Sequence, residues 1–330
     1  MAEYFGIDSP ERLIFTPGCT QSINMVLQGI GFKSGDLVIV SGIEHNAVMR
    51  PLKNLEQTHG IQVKALRYCP GSILCLKELE ELLKKRKPRL CVFMEASNVT
   101  GEILDLQAVS EMLAVHEVPL LVDAAQSAGV FHRRISELHA LKYWCASGHK
   151  GLFGMAGVGL LYVRSDEVLE PLVFGGTGSR SEELNMPSAY PDHLEAGTMP
   201  GPAIVSLSAG LDFIQELGAE KIAEHELELC SKFVEWMSAR KEFRFYGQNS
   251  ARRIPLVSFE IAGMDSGRVA ELLDREYEIC VRAGLHCASS AHRSLGTVER
   301  GLIRASFSYF NNADELRIFT DVLAKIASSG

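Results

Sequence analysis

Two charged residues in the first half of the chain directly follow apolar runs. Asp123 comes after residues 120–122, and Lys150 follows the run 143–146 within a glycine-flanked loop. A carboxylate at the end of a buried strand is costly unless it meets a cation or several hydrogen-bond donors. A lysine becomes a Schiff-base nucleophile when desolvation or a nearby cation lowers its pKa. The pair predicts carbonyl chemistry, although an ordinary surface loop remains the alternative for Lys150.

A glycine turn precedes an amphipathic pattern near the start of the chain, where Pro17 and Gly18 lead into Thr20. Such a turn presents free backbone N–H groups and the positive end of a helix dipole, and these features bind phosphate. An ordinary N-cap is the alternative interpretation. It is not a Walker loop, because no lysine follows at the required position.

The residues at these predicted strand ends together fit one cofactor. Asp123 and Lys150 lie one strand unit apart, so we expect them to line one crevice. Pyridoxal phosphate needs a carboxylate that keeps its pyridine nitrogen protonated and a lysine that carries its aldehyde. The helix start at Thr20 would bind the phosphate, His45 would stack on the ring, and Gln126 would donate to the 3-hydroxyl. The sequence therefore predicts pyridoxal phosphate as the cofactor.

Strand and helix patterns alternate through the first half of the chain. Such an alternation would bring the predicted cofactor ligands to one edge of a sheet. Near-continuous apolar runs are typical of strands buried on both faces. The runs are 13–16, 37–41, 61–66, 90–94, 119–122, 143–146 and 158–163. Their alternation with amphipathic segments predicts an α/β fold with a mostly parallel seven-stranded sheet and helices on both faces. No full helix joins the last two runs, which indicates that one of them is antiparallel.

The rhythm changes after a loop-rich stretch that ends near residue 202. A long helical pattern at 203–240 and a final amphipathic helix flank a shorter α+β pattern. The predicted elements between them are strands at 254–261, 279–282 and 303–308 and a helix at 266–275. We therefore predict a large α/β domain over 1–202 and a smaller α+β domain over 203–330.

Composition excludes several classes of protein. The chain has 330 residues, 46% of them apolar and 22% charged, which is typical of a globular protein. Acidic residues outnumber basic ones by 41 to 33, so a nucleic-acid partner is not expected. No run reaches the ~18 apolar residues of a membrane span, and no secretory signal is recognisable. Eight cysteines without a C-x-x-C pair predict neither disulfides nor structural zinc, and hence a cytoplasmic protein.

Taken together, these motifs resemble the class V aminotransferase family, in its cysteine desulfurase and selenocysteine lyase branch. The resemblance spans nearly the whole chain and implies the fold-type-I architecture of pyridoxal phosphate enzymes. The matching segments, in family order, are 14–24, 44–48, 97–101, 122–126, 147–150, 195–198, 281–288 and 303–307.

The resemblance implies a role for each matched position. Lys150 resembles the lysine that carries the cofactor, and Asp123 resembles the partner of the pyridine nitrogen. The other implied cofactor ligands are Cys19, Thr20, His45, Asn98, Gln126, Ser147 and His149. Thr198 is similar to a threonine that reaches the phosphate of the neighbouring subunit, which implies a homodimer.

The resemblance also implies how the substrate binds. Arg304 resembles the arginine that holds the substrate carboxylate, a task suited to a bidentate guanidinium. Asn98 and Arg282 are implied as further substrate ligands. His45, which stacks on the cofactor ring, is implied as a catalytic residue beside Lys150.

Cys287 distinguishes the activities within this branch. It lies in a segment similar to the loop of desulfurases whose cysteine attacks the substrate sulfur and becomes a persulfide. Arg282, Gly284 and His286 are suitably placed to favour a thiolate there. A small buried cysteine is the alternative, and a metal site from His286, Cys287 and His292 would lack a fourth ligand. We predict no metal.

The resemblance implies conversion of L-cysteine to L-alanine with a persulfide on Cys287 and transfer of sulfur to an acceptor, for which a protein is one candidate. Selenocysteine lyase and class V aminotransferase activities remain alternatives, as does a non-enzymatic cofactor-binding or sulfur-scaffold role. Three departures from the family pattern stand out. The printed sequence is expected to lack the family's N-terminal arm near the mouth of the site, Cys19 replaces a usual threonine, and Leu285 replaces a frequent histidine.

Overall fold

The computed structural model describes residues 1–247 and 252–329, and a seven-stranded sheet forms its larger part. The strands are β1 (Leu13–Thr16), β2 (Leu37–Val40), β3 (Gln62–Ala65), β4 (Leu90–Met94), β5 (Leu120–Asp123), β6 (Leu141–Ser147) and β7 (Gly159–Val163). Their spatial order is β1-β7-β6-β5-β4-β2-β3. Strands β2 to β6 pair in parallel, whereas β7 is antiparallel to both β6 and β1. The predicted α/β fold with one antiparallel strand is confirmed.

The strands of this sheet, except the mostly exposed edge strand β3, are apolar because both of their faces are buried. Successive residues alternate between two core clusters, so that Phe93 and Val122 pack on one face while Val92 and Leu121 pack on the other. This period-2 alternation between two buried faces produces the near-continuous apolar runs of the sequence.

Helices connect the strands and cover the two faces. They are α1 (Cys19–Gly29), α2 (Asn46–His59), α3 (Leu76–Lys85) and α4 (Leu106–Val115). Short 3₁₀ helices occur at Pro10–Arg12 and Ile135–Glu137. Because α1 and α2 follow β1 and β2 directly, they begin at the edge of the sheet where parallel strands end.

A second, four-stranded antiparallel sheet forms the C-terminal part. Its strands are β8 (Phe243–Phe245), β9 (Leu256–Ile261), β10 (Arg282–Gly284) and β11 (Leu302–Ser306), in the order β10-β11-β9-β8. The C-terminal helices are α5 (Gly201–Leu217), α6 (Ala219–Ser238), α7 (Ser266–Tyr277), α8 (Ser289–Leu295) and α9 (Ala313–Ser329). A separate core cluster around Phe233, Phe259 and Leu323 joins this sheet to its helices.

Two predicted C-terminal elements were wrong in detail. The single helix expected at 203–240 is divided into α5 and α6 at Gly218, whose φ of +88° and ψ of +120° are not helical. The strand expected at 279–282 begins only at Arg282, because Ile279 and Val281 pack into the C-terminal core instead. Strand β8 and helix α8 were not predicted.

The predicted boundary at residue 202 stays a prediction. Leu207 and Ile214 of α5 pack into the core of the large sheet, whereas Phe233 of α6 belongs to the C-terminal core. Over residues 1–247 and 252–329, no helix has the length and hydropathy needed to cross a bilayer.

Candidate active site

A cavity lies at the edge of the large sheet where β4, β5 and β6 end. It is lined by Cys19, Thr20, His45, Ala47, Met94, Ala96, Asn98, Asp123, Ala125, Gln126, Ser147 and Lys150. All residues that the sequence predicted as cofactor ligands line this cavity, except His149 and Thr198. A wider groove at the opposite edge of the sheet contains none of the predicted site residues.

Asp123 has the surroundings of a carboxylate that needs a cationic ligand. It is the last residue of β5 and is 5% exposed. Its Oδ1 accepts hydrogen bonds from the backbone N–H of Ala125 at 2.9 Å and from the Cys19 thiol at 3.5 Å. Within the described residues, no Lys, Arg or His side chain forms an ion pair with it. A protonated pyridine nitrogen would supply the missing opposite charge, so the residues present fit pyridoxal phosphate.

Cys19 supports this carboxylate as a neutral donor. Burial raises the pKa of its thiol well above the ordinary value, and the Asp123 charge raises it further. The thiol therefore stays protonated and donates to Asp123, as the hydroxyl of a threonine could at this position. The departure from the family pattern at residue 19 thus leaves the donor in place.

The turn before α1 is shaped for a ligand with phosphate. A Cβ on Gly159 of β7 would lie 2.6 Å from the Cα of Gly18, so the two backbones approach this closely only because residue 159 is a glycine. The first N–H groups of α1 follow directly, together with the Thr20 hydroxyl, and Ser147 lines the same cavity. His149 is exposed and outside this lining, and burial of its ring and the adjacent Lys150 lower its pKa.

His45 is held as a neutral imidazole at the start of α2. Its Nδ1 accepts a hydrogen bond from the backbone N–H of Ala47 at 3.0 Å, which makes it the N-cap of the helix. Burial lowers the pKa of the ring, so the neutral form prevails at pH 7. A neutral ring fixed by the backbone at the cavity wall is suited to stack on a flat ligand.

Lys150 lies between two adjoining cavities. It lines the cavity described above and a second one of about 280 Å³, which also includes Gln126, Glu226 and Arg304. Among the described residues, no carboxylate forms an ion pair with its ammonium group. The amine is therefore available to a ligand from either side, as a lysine that first carries a cofactor and then moves a proton must be.

Arg304 of β11 lines the second cavity, whereas Cys287 lies in the loop after β10 and lines neither cavity. Asn98 contacts Arg304 and the residue before Cys287. The Arg304 guanidinium donates to the backbone carbonyl of Asn98 at 3.0 Å, and Asn98 Nδ2 donates to the carbonyl of His286 at 2.8 Å. Cys287 is exposed, with its Sγ 3.4 Å from Nη2 of Arg282. Burial lowers the pKa of Arg304, and Arg282 contributes, so an anionic ligand is favoured beside it.

Thr198 lies apart from the other predicted ligands. It is exposed in the loop before α5 and lines neither of the two cavities. Its role towards a neighbouring subunit stays a prediction. His286 and His292 have ring centroids 5.6 Å apart, yet in 1–247 and 252–329 no group of three His, Cys, Asp or Glu residues could hold a metal.

One residue of the site was not predicted. The Glu44 carboxylate is fully buried, and its Oε1 accepts from the Ser41 hydroxyl at 2.6 Å and from the backbone N–H of Met94 at 3.0 Å. It thereby joins the ends of β2 and β4 beside His45. Burial raises its pKa to about 8, so the group is mostly protonated at pH 7. Its place beside His45 in a matched segment was the only signal in the sequence.

Comparison with known proteins agrees with this geometry. The family model for class V aminotransferases matches residues 1–319, and the chain belongs to that family. A probable cysteine desulfurase of Methanothermobacter thermautotrophicus is 31% identical over 329 residues, which cover 98% of this chain and 81% of the relative. A cysteine desulfurase of Salmonella agona is 30% identical over 325 residues, covering 96% and 78%.

Solved structures give the same result for the fold. The apo cysteine desulfurase of Thermococcus onnurineus superposes with a TM-score of 0.92 at 29% identity, covering 100% of this chain and 82% of that one. A cysteine desulfurase of Escherichia coli in its S-sulfonic acid form gives 0.90 at 28% identity, covering 99% and 82%. The predicted family and fold type are confirmed, and the cofactor of this family is pyridoxal phosphate.

Proposed function

We propose that the protein is a pyridoxal phosphate-dependent cysteine desulfurase, which converts L-cysteine to L-alanine and leaves the sulfur on Cys287 as a persulfide. One observation carries the proposal. Asn98 lines the cavity that contains Lys150 and Asp123. It donates to the carbonyl of His286, the residue before the proposed nucleophile Cys287, and accepts from the proposed carboxylate ligand Arg304. The cysteine desulfurases among the relatives support the same activity.

The residues that would hold the cofactor follow from the cavity. Lys150 would bind its aldehyde and Asp123 its pyridine nitrogen, while Gln126 would donate to its 3-hydroxyl. The ring would lie on His45. The phosphate would be bound by Thr20 at the start of α1, with Ser147 and His149. When bound, the cofactor supplies an electron sink for carbanion chemistry at the substrate α-carbon.

Each step of the reaction uses a residue of this chain. Arg304 binds the substrate carboxylate, with Asn98 and Arg282 beside it. The Lys150 amine takes the α-proton as a general base. The Cys287 thiolate then attacks the substrate sulfur, so that a sulfur–sulfur bond forms and the carbon–sulfur bond breaks. Free cysteine plus the Cys287 thiol thus yields alanine plus the Cys287 persulfide, with atoms and electrons balanced.

A homodimer is part of the proposal. The loop-rich segment 168–199 exposes apolar side chains, with Phe174 at 72% and Leu184 at 104% of their reference areas. Val168, Leu172 and Val173 in the same segment are also exposed, and such a concentration of exposed apolar side chains favours an interaction site. The exposed Thr198 lies in the same segment and would reach the phosphate site of the second subunit. Light scattering tests the dimer, and a monomeric holoenzyme would contradict it.

The surroundings that suit this chemistry are reducing. All eight cysteines are free thiols, and Cys287 is exposed to solvent, where a sulfur acceptor can reach it. We therefore place the protein in the cytoplasm and expect its persulfide sulfur to pass to a small thiol or an acceptor protein. Transfer of sulfur from isolated persulfidated protein to a thiol would measure this step.

The decisive experiment combines the purified holoenzyme with L-cysteine and a reductant. We expect alanine and sulfide in equal amounts, and a Cys287 peptide heavier by one sulfur atom before the reductant is added. Cofactor-loaded protein that forms no alanine from cysteine would refute the proposal. Release of a keto acid in the amount of bound cofactor would indicate an aminotransferase. Alanine from selenocysteine alone, retained after Cys287→Ala, would indicate a selenocysteine lyase.

A further inference from the structure

The loop that carries Cys287 has an unfavourable backbone conformation. We define the Cys287 loop as residues 285–289, from the end of β10 to the first residue of α8. His286 has a φ of +49° and Cys287 a φ of +56°. Residues with a side chain rarely adopt this left-handed region, and two in succession persist only where the surroundings hold them. Contacts outside the loop must therefore fix its shape.

Three hydrogen bonds attach the Cys287 loop to the large-sheet part of the molecule. The backbone N–H of Asn46 donates to the Cys287 carbonyl at 2.8 Å, and the Ser289 hydroxyl donates to Asn46 Oδ1 at 3.2 Å. The third is the bond from Asn98 Nδ2 to the His286 carbonyl at 2.8 Å. Asn46 is the first residue of α2, directly after His45. The helix that begins at the cavity wall thus also holds the loop.

We propose that Asn46 and Ser289 are positioning residues that fix the Cys287 thiol at the active site through their mutual hydrogen bond. The inference rests on the proposed function of Cys287 as the nucleophile. Neither residue lines the two cavities, so neither is offered as a catalytic residue. We call the Asn46–Ser289 pair, together with the bond from the Asn46 N–H to the Cys287 carbonyl, the loop latch.

The loop latch matters because it sets the position of the Cys287 thiol relative to both Arg282 and the cavity. In the latched conformation Nη2 of Arg282 donates to Cys287 Sγ at 3.4 Å, which orients the sulfur. Because Asn46 directly follows His45, the same conformation fixes the loop relative to the wall of the cavity that would hold the cofactor. A loop released from Asn46 loses its positive-φ conformation and moves the sulfur away from both. Displacements of about 1 Å at a reacting atom are enough to slow catalysis strongly.

Two pairs of variants isolate the side-chain bond. Asn46→Ala removes Oδ1 and leaves the backbone N–H, whereas Asn46→Asp keeps an acceptor oxygen at the helix start. Ser289→Ala removes the hydroxyl, whereas Ser289→Thr keeps it. Arg293 Nη2 lies 3.5 Å from the Ser289 hydroxyl, so Ser289→Ala alone is ambiguous. The double alanine variant resolves this, because both single changes break the same bond.

Hydrogen exchange of the holoenzyme measures the latch directly, through the amides of Asn46 and Ala288. One neutral hydrogen bond corresponds to a factor of about five in the local opening equilibrium. We expect about fivefold faster exchange in Asn46→Ala and in Ser289→Ala, and about the same fivefold in the double variant. Asn46→Asp and Ser289→Thr should exchange like the wild type. Ser238→Ala, which removes an exposed hydroxyl bond to Val234 within α6, is the matched control.

Steady-state kinetics then separate positioning from general structure. We expect the kcat for alanine formation to fall in both alanine variants and to recover in the Asp and Thr variants, with the KM for cysteine unchanged. Unaltered exchange in Asn46→Ala, or effects that multiply to about 25-fold in the double variant, would overturn the latch. Hydrogen exchange in the single and double alanine variants tests the latch independently of whether the protein converts cysteine. A wild type that makes no alanine would refute the proposed function alone.

Discussion

The buried Glu44 carboxyl provides a prediction with a sign and a size. In the folded protein its pKa is about 8 because burial disfavours the charged form, against an ordinary value of 4.5. The folded state therefore keeps a proton that the unfolded chain releases. Since the folded pKa is the higher one, the wild type loses stability as the pH rises from about 4.5 to about 8, and not below.

Glu44→Gln removes this titration and preserves the hydrogen bonds. The amide oxygen of glutamine still accepts from the Ser41 hydroxyl and the Met94 N–H, which bind Oε1 at 2.6 and 3.0 Å. The other position, Oε2, has no partner among the residues that the structure describes, so an amide nitrogen there replaces an equally unpartnered group. With these two pKa values, linkage gives a stability gain over the wild type that grows by about 2.5 kcal/mol between pH 5.5 and 7.5.

Urea unfolding of wild type and variant at the two pH values measures this difference. Subtracting the two proteins at each pH cancels all other titrations, which both share. Glu81→Gln, the same substitution at an exposed position of α3, is the control for the change of side chain itself. A Glu44→Gln gain that is the same at pH 5.5 and 7.5 would refute the assignment of a protonated carboxyl, even if the variant were more stable at both.

Three further changes test the site and the fold. Cys287→Ala should abolish persulfide and sulfide formation from cysteine while the absorbance of bound cofactor is retained; loss of the cofactor would contradict its assignment as nucleophile alone. Arg304→Ala should raise the KM for cysteine by about 30-fold, since a charge-assisted hydrogen bond contributes about 2 kcal/mol, and an unchanged KM would place the carboxylate elsewhere. Gly218→Ala should lower the free energy of unfolding by about 1 kcal/mol or more because of its positive φ. Gly176→Ala, at a position without positive φ or close neighbours, should change it little by comparison, and equal losses would remove the backbone explanation.

The large sheet and most of the cavity could be predicted because each depends on local sequence. Asp123 and Lys150 each end an apolar run, and parallel strands deliver their carboxyl ends to one edge of a sheet. The antiparallel β7 was foreseeable for a similar reason, since no crossover helix precedes it. A local pattern combined with a topological rule was sufficient here.

Elements whose position depends on tertiary packing were not predictable in this way. The helical pattern continues across Gly218, and only the packing of α5 on one core and most of α6 on another reveals the break. Likewise, the apolar residues Ile279 and Val281 suggested a strand but fill the C-terminal core, and pairing starts at Arg282 opposite Arg304. The sequence showed that Ile279 and Val281 are apolar, but not that they pack against the C-terminal core.

Contacts between distant segments account for the features that the sequence could not indicate. Glu44 acts through Met94, 50 positions away, and Asn46 through Ser289, 243 positions away. Nothing in the sequence separately assigned a role to either residue. Both stand beside His45, which was predicted as a cofactor ligand. Such supporting contacts become visible only when the two sheets are placed together.

Asn98 shows how the proposed nucleophile and the proposed substrate ligand from the C-terminal part can be held at the cavity of the large sheet. Its carbonyl accepts from Arg304 and its amide donates to the His286 carbonyl, so one residue holds both Arg304 and the segment that carries Cys287. Sulfur transfer requires the substrate carboxylate and the attacking thiol to stay in a fixed relation while the carbon–sulfur bond breaks. Since Asn98 also lines the cavity that would hold the cofactor, the positions of thiol and carboxylate ligand are fixed relative to that cavity as well. Leu285, at 36% exposure, makes none of these contacts through its side chain, which is why a leucine there is compatible with the same chemistry.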